Sequence, residues 1–343
     1  MASASDAPAQ AVLDRFLHSH GLAGEGEQVT WTPLKGGVSS DIWRVDLPGR
    51  TICVKRALPQ LRVGLNWRAP VSRNRYEWEW LQLAAGIVPR SVPQPLAHDP
   101  QLGLFAMAYL PPERYPLWKQ QLLEGKVDLR TAERVGHVLA ALHNATAGRA
   151  EIAAAFDTLE NFHALRLEPY LLVTAQRHPD LRTALQGLVD RTARTRIALV
   201  HGDVSPKNIL VGADAPVLLD AECAWFGDPA FDIAFCLNHL LLKSVLLSEH
   251  RGELLQAFET LANNYLGDVR FEPRAALEAR AASLLPGLAL ARIDGQSAVE
   301  YFVDHPIEQE MVRALARPLI AQPVDSLAAV LRAWSGPELS LQA

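Results

Sequence analysis

Cysteine is scarce in this chain. Cys53, Cys223 and Cys236 are the three present. Widely spaced, odd in number and set among apolar neighbours, they make neither a disulfide framework nor a zinc motif and read as reduced core thiols. Excess positive charge is absent as well. Against 33 Lys and Arg stand 38 Asp and Glu, a formal net charge of -5, so no strong positive field is available to displace counterions from a nucleic-acid backbone and nucleic acid is excluded as a partner. No apolar run approaches the roughly eighteen residues of a membrane span. The first ten residues are small and polar and lack the basic-then-apolar pattern of a secretory leader. A cytoplasmic protein without membrane contact, acting on small molecules as a monomer or homodimer, is the expectation. No internal repeat or low-complexity tract is visible.

What is present is an ordinary globular composition, 49% hydrophobic and 21% charged over 343 residues, enough for two domains with a sizeable core. Val12, Leu13, Phe16 and Leu17 carry helical spacing. Residues 28–34, 42–45 and 51–54 are short β-prone runs separated by turn residues such as Gly36-Gly37 and Pro48-Gly49, which fits three antiparallel strands. Trp80, Leu81 and Ala84 predict a helix over 76–85. After a Pro-rich bend at Val92-Pro93-Gln94-Pro95, residues 102–110 read as one more strand, stopped by Pro111-Pro112. The pattern then turns helical, most clearly over 129–147, with clear β signals confined to 197–200, 209–211 and 217–219. Further on, helical runs alternate with the breakers Pro286-Gly287, Asp294-Gly295 and Pro323. The outline is α+β, with a small β-rich N-terminal lobe over 1–110 and a larger, mainly helical C-terminal lobe over 111–343.

The residues that carry chemistry lie between those last β signals. Asp203 follows the strand at 197–200 on a loop, Asn208 comes five residues on, and Asp220 closes a hairpin that turns at Gly212-Ala213-Asp214-Ala215. Phosphoryl transfer to an alcohol needs a carboxylate to orient and deprotonate the hydroxyl, hard oxygen ligands for Mg2+, and cations or N–H groups on the phosphates. Asp203 fits the first requirement, Asn208 and Asp220 the second. An isolated Asp in His201-Gly202-Asp203 would be an ordinary turn residue. The acid, the amide and the second acid, in their strand and loop context, together form a phosphoryl-transfer layout.

On these motifs the chain resembles the aminoglycoside phosphotransferase and choline kinase-like superfamily, small-molecule kinases with a bilobal protein-kinase-like fold, over roughly residues 28–305. The resemblance implies ATP and Mg2+ as cofactors, Asp203 as catalytic base, and Asn208 and Asp220 as metal ligands. It also implies that Lys55, ending the strand Ile52-Cys53-Val54, meets the nucleotide's phosphates, held by a glutamate of the next helix. Glu77 is chosen over Glu79 because Leu81 stands four positions further on. Gly36, Gly37, Ser39 and Ser40 resemble a nucleotide-covering hairpin without the full Gly-x-Gly-x-x-Gly. Met107, Ala108, Tyr109 and Leu110 either offer backbone groups to adenine or belong to the core. Lys207 joins Asp203 as a catalytic candidate, placed to stabilise the transferring phosphoryl group. Asp232 reads as a helix cap or a buried acceptor for the catalytic loop, His201 as a support of that loop and His143 as a core residue, while Glu222 either touches a second metal or pairs locally.

Gly202 stands where protein kinases carry the Arg that reads a phosphorylated activation loop, Asp220-Ala221-Glu222 replaces Asp-Phe-Gly, and no Ala-Pro-Glu follows. These departures favour a small-molecule hydroxyl acceptor. Candidate substrate contacts are two polar clusters, Asn161, His163, Arg166, Glu168 and Tyr170, then Arg292, Asp294, Gln296, Ser297, Glu300 and Tyr301. Arginines are mixed with the acids there, so an acceptor less cationic than an aminoglycoside is at least equally expected. Two alternatives stay open: a nucleotide-binding pseudokinase without transfer, and a true aminoglycoside-resistance kinase.

Overall fold

The computed structural model describes residues 7–34, 40–58 and 73–336. They belong to two compact units that part between Pro111 and Pro112.

In the N-terminal unit a helix, α1 (Ala7–Ser19), precedes an antiparallel sheet of β1 (Thr30–Pro33), β2 (Ser40–Leu47), β3 (Arg50–Ala57), β4 (Pro95–Asp99) and β5 (Leu104–Ala108), in the order β1-β2-β3-β5-β4. A second helix, α2 (Arg73–Ile87), lies between β3 and β4 in the chain. The β2–β3 hairpin closes on Pro48-Gly49, with Gly49 at φ +76, a left-handed conformation that lacks a Cβ clash only for glycine.

β3 is central, and its alternation decides which side chains meet which helix. Ile52 and Val54 join Leu13, Phe16 and Leu17 of α1 in one apolar cluster with Val45, Leu47, Leu104 and Ala106. Fully burying side chains such as Phe16 and Leu17 contributes about 1.5–3 kcal/mol each, which fastens α1 to the sheet. The alternate residues of β3, Cys53 and Lys55, are left for the opposite face. There α2 packs, with Trp78 stacked on His98 at 5.3 Å and tilted against Phe105 at 5.9 Å.

β4 is not signalled by the sequence, where Val92-Pro93-Gln94-Pro95 reads as a bend. Pro95 opens an edge strand and a bulge falls between Pro95 and Ala97, both places where a proline without an N–H is tolerated.

The C-terminal unit contains α3 (Trp118–Leu123), α4 (Leu129–Thr146), α5 (Ala150–Ala155), α6 (Leu159–Phe162), a π-helical stretch (His163–Leu172), α7 (Val173–Arg177) and α8 (Arg182–Arg194). Four short strands follow, β6 (Ala198–Val200), β7 (Ile209–Val211), β8 (Pro216–Leu218) and β9 (Trp225–Gly227), then α9 (Ala230–Leu246), α10 (Arg251–Asp268), α11 (Arg274–Asp294), α12 (Pro306–Ala321) and α13 (Leu327–Ser335). β7 and β8 form a hairpin, while β6 pairs with β9, a Trp-Phe-Gly strand too short to show a period.

α4 starts at Asp128, whose carboxylate accepts from Arg130 N–H. Gly136 lets α4 approach α10 closely, since a Cβ there would lie 2.7 Å from Leu261 O. α9 is buried from Ala230 to Val245 and forms the centre of the unit. α11 runs straight through Pro286-Gly287, a pair that reads as a breaker. Packing overrides the local penalty: a Cβ on Gly287 would come within 2.9 Å of Leu188, so the glycine allows close approach of α8.

Candidate active site

The loop from His201 to Asn208 joins β6 to β7, and buried polar groups hold it from behind. Asp232, in the first turn of α9, accepts from His201 N–H at 2.7 Å and Gly202 N–H at 2.8 Å. His143 Nε2 lies 3.3 Å from the same carboxylate and its Nδ1 2.8 Å from the Tyr265 hydroxyl. The sequence left Asp232 between two roles; it serves as the buried acceptor. Gly202 sits at φ +78, where a Cβ would meet Cys223 O at 2.7 Å. Only glycine fits this backbone and this space. Burial depresses the His201 imidazole, which leaves its Nδ1 as acceptor for the Asp203 N–H at 3.2 Å.

Asp203 is 1% exposed, and its two oxygens differ. Oδ2 receives Asn208 Nδ2 at 2.8 Å, Arg166 Nη2 at 2.8 Å and Lys207 Nζ at 3.2 Å. Oδ1 is buried and has no hydrogen-bond partner among the described residues. A buried carboxylate oxygen without a donor costs about 1–3 kcal/mol or more, so this oxygen stands apart from the ordinary pattern in which buried polar atoms are paired.

Arg166 was legible only as one of several candidate substrate contacts. In the structure it clamps the loop: Nε donates to Gly202 O at 2.6 Å while Nη2 takes the carboxylate. Burial pulls its guanidinium down, but the charges of Asp203, Cys223, Tyr170 and Glu222 together outweigh that effect and raise its pKa above the usual arginine value. The π-helical stretch supplies this reach, and irregular turns of that kind cluster at functional sites. Nothing in the spacing between Arg166 and Asp203 signals the contact.

Lys207 is half exposed, and the Asp203 carboxylate raises its pKa above the usual lysine value. Asn208, its amide hydrogens spent on Asp203 Oδ2 and Asp203 O, is left with its carbonyl oxygen for a cation. The β7–β8 hairpin brings the second acid beside it, because Leu219 N–H donates to Asn208 O at 2.9 Å and Asp220 follows directly. Asp220 has φ 68, the single non-glycine positive φ among the described residues. That conformation costs about 1–2 kcal/mol, which the hairpin and loop around it must offset.

In the N-terminal unit Lys55 Nζ lies 2.6 Å from Glu77 Oε1, both side chains buried. Glu79 points elsewhere, to Arg75 at 2.6 Å on the exposed side of α2. Burial pushes the neighbouring Cys53 thiol up to about 12. Ser40 opens β2 and is buried; Gly36, Gly37 and Ser39 lie outside the described residues. Met107 and Ala108 end β5 inside the ladder, where the Ala108 N–H is committed to Gln94 O at 2.8 Å. Its amide is therefore not available to adenine. Tyr109 and Leu110 lie just beyond the strand.

The remaining polar clusters separate. Asn161 donates to Glu222 O at 2.9 Å, and Asp294 is taken up by Arg313 and His178 at 2.8–2.9 Å. Arg292 donates to the Tyr170 hydroxyl at 3.0 Å, and Tyr301 faces His239 and Lys243, two buried residues of α9 that sequence reasoning did not single out. A lysine and a histidine inside an apolar helical run give no periodic signal of their own.

The antiparallel sheet of the N-terminal unit and the mainly helical C-terminal unit are those of a protein-kinase-like fold. Residues 30–266 match the phosphotransferase enzyme family, APH, and the chain belongs to that family. Choline kinase LicA from Streptococcus pneumoniae is similar over 90% of this chain and 99% of its own, at 15% identity and a TM-score of 0.52. Amicoumacin kinase hAmiN in complex with AMP-PNP, Ca2+ and Ami is similar over 95% and 98%, at 17% identity and a TM-score of 0.52. Among curated proteins, methylthioribose kinase of Pectobacterium atrosepticum is 29% identical over 218 residues, covering 56% of this chain and 54% of that one. The chain spans about half the length of the curated relatives that it matches in this way. No helix among the described residues is long and apolar enough to cross a membrane.

Proposed function

We propose that this protein transfers the γ-phosphoryl group of ATP, with Mg2+, to a hydroxyl of a small molecule, Asp203 acting as the base. The observation that carries the reading is the asymmetry of Asp203, with Oδ2 fully engaged by Asn208, Arg166 and Lys207 and Oδ1 without a donor. Oδ1 then orients the acceptor hydroxyl and receives its proton as the oxygen–phosphorus bond forms and the bond to the bridging oxygen of ADP breaks, its electron pair leaving with ADP.

The donors present fit a shared divalent cation better than a protein cage. Among the described residues no group of three or more His, Cys, Asp and Glu is assembled, whereas Mg2+ asks for one or two protein oxygens and completes its shell with phosphates and water. Asn208 Oδ1 and the Asp220 carboxylate are the oxygens for it, and Lys55, oriented by Glu77, is the cation for the nucleotide's phosphates. Bound Mg·ATP would supply the phosphoryl group and the charge that screens it. The similarity to a kinase bound to AMP-PNP and Ca2+, and to kinases of choline and of methylthioribose, supports a nucleotide, a divalent cation and a small hydroxylated acceptor.

The test is acceptor-dependent ADP release by Asp203→Asn. Loss of a positioned base is expected to lower turnover by about 10^2–10^4-fold with nucleotide affinity retained. Turnover near the wild-type rate would remove Asp203 from this role.

A further inference from the structure

Linked to Asp203 by a run of side-chain contacts, the C-terminal unit holds buried cationic residues with no carboxylate in hydrogen-bond reach among the described residues. Arg166, which clamps Asp203, also lies over the Tyr170 ring at 5.8 Å, and Arg292 lies over the same ring at 5.4 Å. Tyr170 packs on Phe235 at 5.6 Å, and Phe235 on His239 at 5.7 Å. His239 Nδ1 is 3.2 Å from the Tyr301 hydroxyl, whose ring carries Lys243 Nζ at 4.6 Å. The chain of contacts from Asp203 to Lys243 is continuous.

Lys243 is 0% exposed and Arg292 7%. Among the described residues neither has a carboxylate partner: Lys243 reaches only the Tyr301 hydroxyl and ring, and Arg292 only the Tyr170 hydroxyl and the oxygens of Ser297. Arg292 Nε and His239 Nε2 are buried without any partner. The one nearby acid, Glu300, is exposed and paired with Lys119 at the outer edge of Tyr301. Buried cations are normally paired, because removing a charge from water costs several kcal/mol. An interior in which two of them hydrogen-bond to neutral oxygens only, with the charge of Glu300 reaching both from the exposed side, is a preformed seat for an anion.

We propose, resting on the phosphotransfer reading above, that the acceptor is itself an anion: a small hydroxylated molecule whose carboxylate or phosphate is gripped by Lys243, Arg292 and His239 Nε2 while its hydroxyl lies at Asp203 Oδ1. Burial keeps the Tyr301 phenol protonated, its pKa raised, and its proton directed to His239 Nδ1 leaves Nε2–H as the donor toward the ligand. Burial, reinforced by the neighbouring Lys119 and Arg292, lowers Lys243 to about 7, so a bound anion also restores the ammonium. A quaternary amine or an aminoglycoside would meet like charge here, and a neutral sugar would leave the seat unfilled.

The experiment is calorimetric titration of the full chain, without turnover, with glycerate, erythronate, gluconate and glycerol 3-phosphate, against glycerol, erythritol, sorbitol, choline and kanamycin. At least one anion is expected to bind ten-fold or more tightly than its neutral counterpart; whether the acids or the phosphate ester does so identifies the oxyanion. Lys243→Met, and Arg292→Gln as a second variant should the first fold poorly, is expected to weaken that binding by about 10- to 100-fold without changing ADP affinity. Absence of anion binding, preference for a neutral or cationic compound, or weakened ADP rather than acceptor binding in the variants would each overturn the proposal. Because binding is read apart from catalysis, any of these leaves the Asp203 experiment standing, and failure of that experiment leaves this one readable.

Discussion

Arg166 and Asn208, from elements far apart in the chain, donate to one and the same oxygen of Asp203, each at 2.8 Å. Asp203 is thereby fixed in rotation, and its other oxygen faces away from both donors.

Arg166→Ala is expected to lower stability by about 3–5 kcal/mol, the usual cost of removing one partner of a buried pair, and to reduce kcat more than KM. Arg166→Lys keeps the charge but cannot span Gly202 O and Asp203 with one planar fork. Denaturation midpoints and steady-state kinetics on both variants check this. Recovery of stability without recovery of kcat is the outcome that a positioning role requires.

Asp220→Gly separates strain from function. Glycine adopts φ 68 without the Cβ penalty, so the unfolding midpoint is expected not to fall. Mg-dependent turnover is expected to drop at least about 100-fold if the carboxylate holds the cation. A variant that loses stability and keeps turnover contradicts both halves.

Lys55→Met and Glu77→Gln are each expected to weaken ADP binding, and each to destabilise the N-terminal unit, because the pair is buried and 2.6 Å apart. Together they should cost less than the sum of the two single changes, a coupling that a double-mutant cycle on ADP affinity and denaturation measures. Strict additivity would show the two residues acting independently.

Lys243 gives stability a defined pH dependence. Folded, it releases its proton near 7, whereas an unfolded lysine holds it to 10.5. Between those values the unfolded chain binds the extra proton and stability rises with pH; the penalty for the buried charge is complete below 7 and gone above 10.5. Burial and the facing Lys119 and Arg292 depress it, Glu300 and Cys236 oppose them, and His239 and Tyr301 complete its surroundings. Lys243→Met should therefore stabilise the protein more at pH 6 than at pH 9, measured as the difference between the two denaturation curves. Equal gains at both pH values would mean the lysine is not desolvated.

The loop chemistry was legible because its parts are local. Asp203 and Asn208 share one loop, Asp220 ends the hairpin that follows, and Gly202 carries its own backbone reason for being there. β2, β3 and α4 were legible because period two and period 3.6 survive in single segments. β4 hid behind Pro95, β9 behind its three-residue length, and the continuity of α11 behind Pro286-Gly287, where burial from Ala281 to Asp294 outweighs the local penalty. Choosing Glu77 over Glu79 rested on the Glu-x-x-x-Leu spacing that the resemblance supplied, and the structure pairs Glu77 with Lys55 where α2 packs on that face of β3.

By itself, then, the sequence determined the order of the elements, the acid–amide–acid loop and the likeness to the phosphotransferase family to which the chain belongs, since each depends on neighbours within a few residues. Only the tertiary structure decided which oxygen of Asp203 lacks a donor, that Arg166 joins Gly202 O to the Asp203 carboxylate, and that Lys243 and Arg292 are buried against neutral hydrogen-bond partners. Those relations join side chains from the π-helical stretch, α9 and α11, and long-range electrostatics and desolvation leave no periodic trace along a chain.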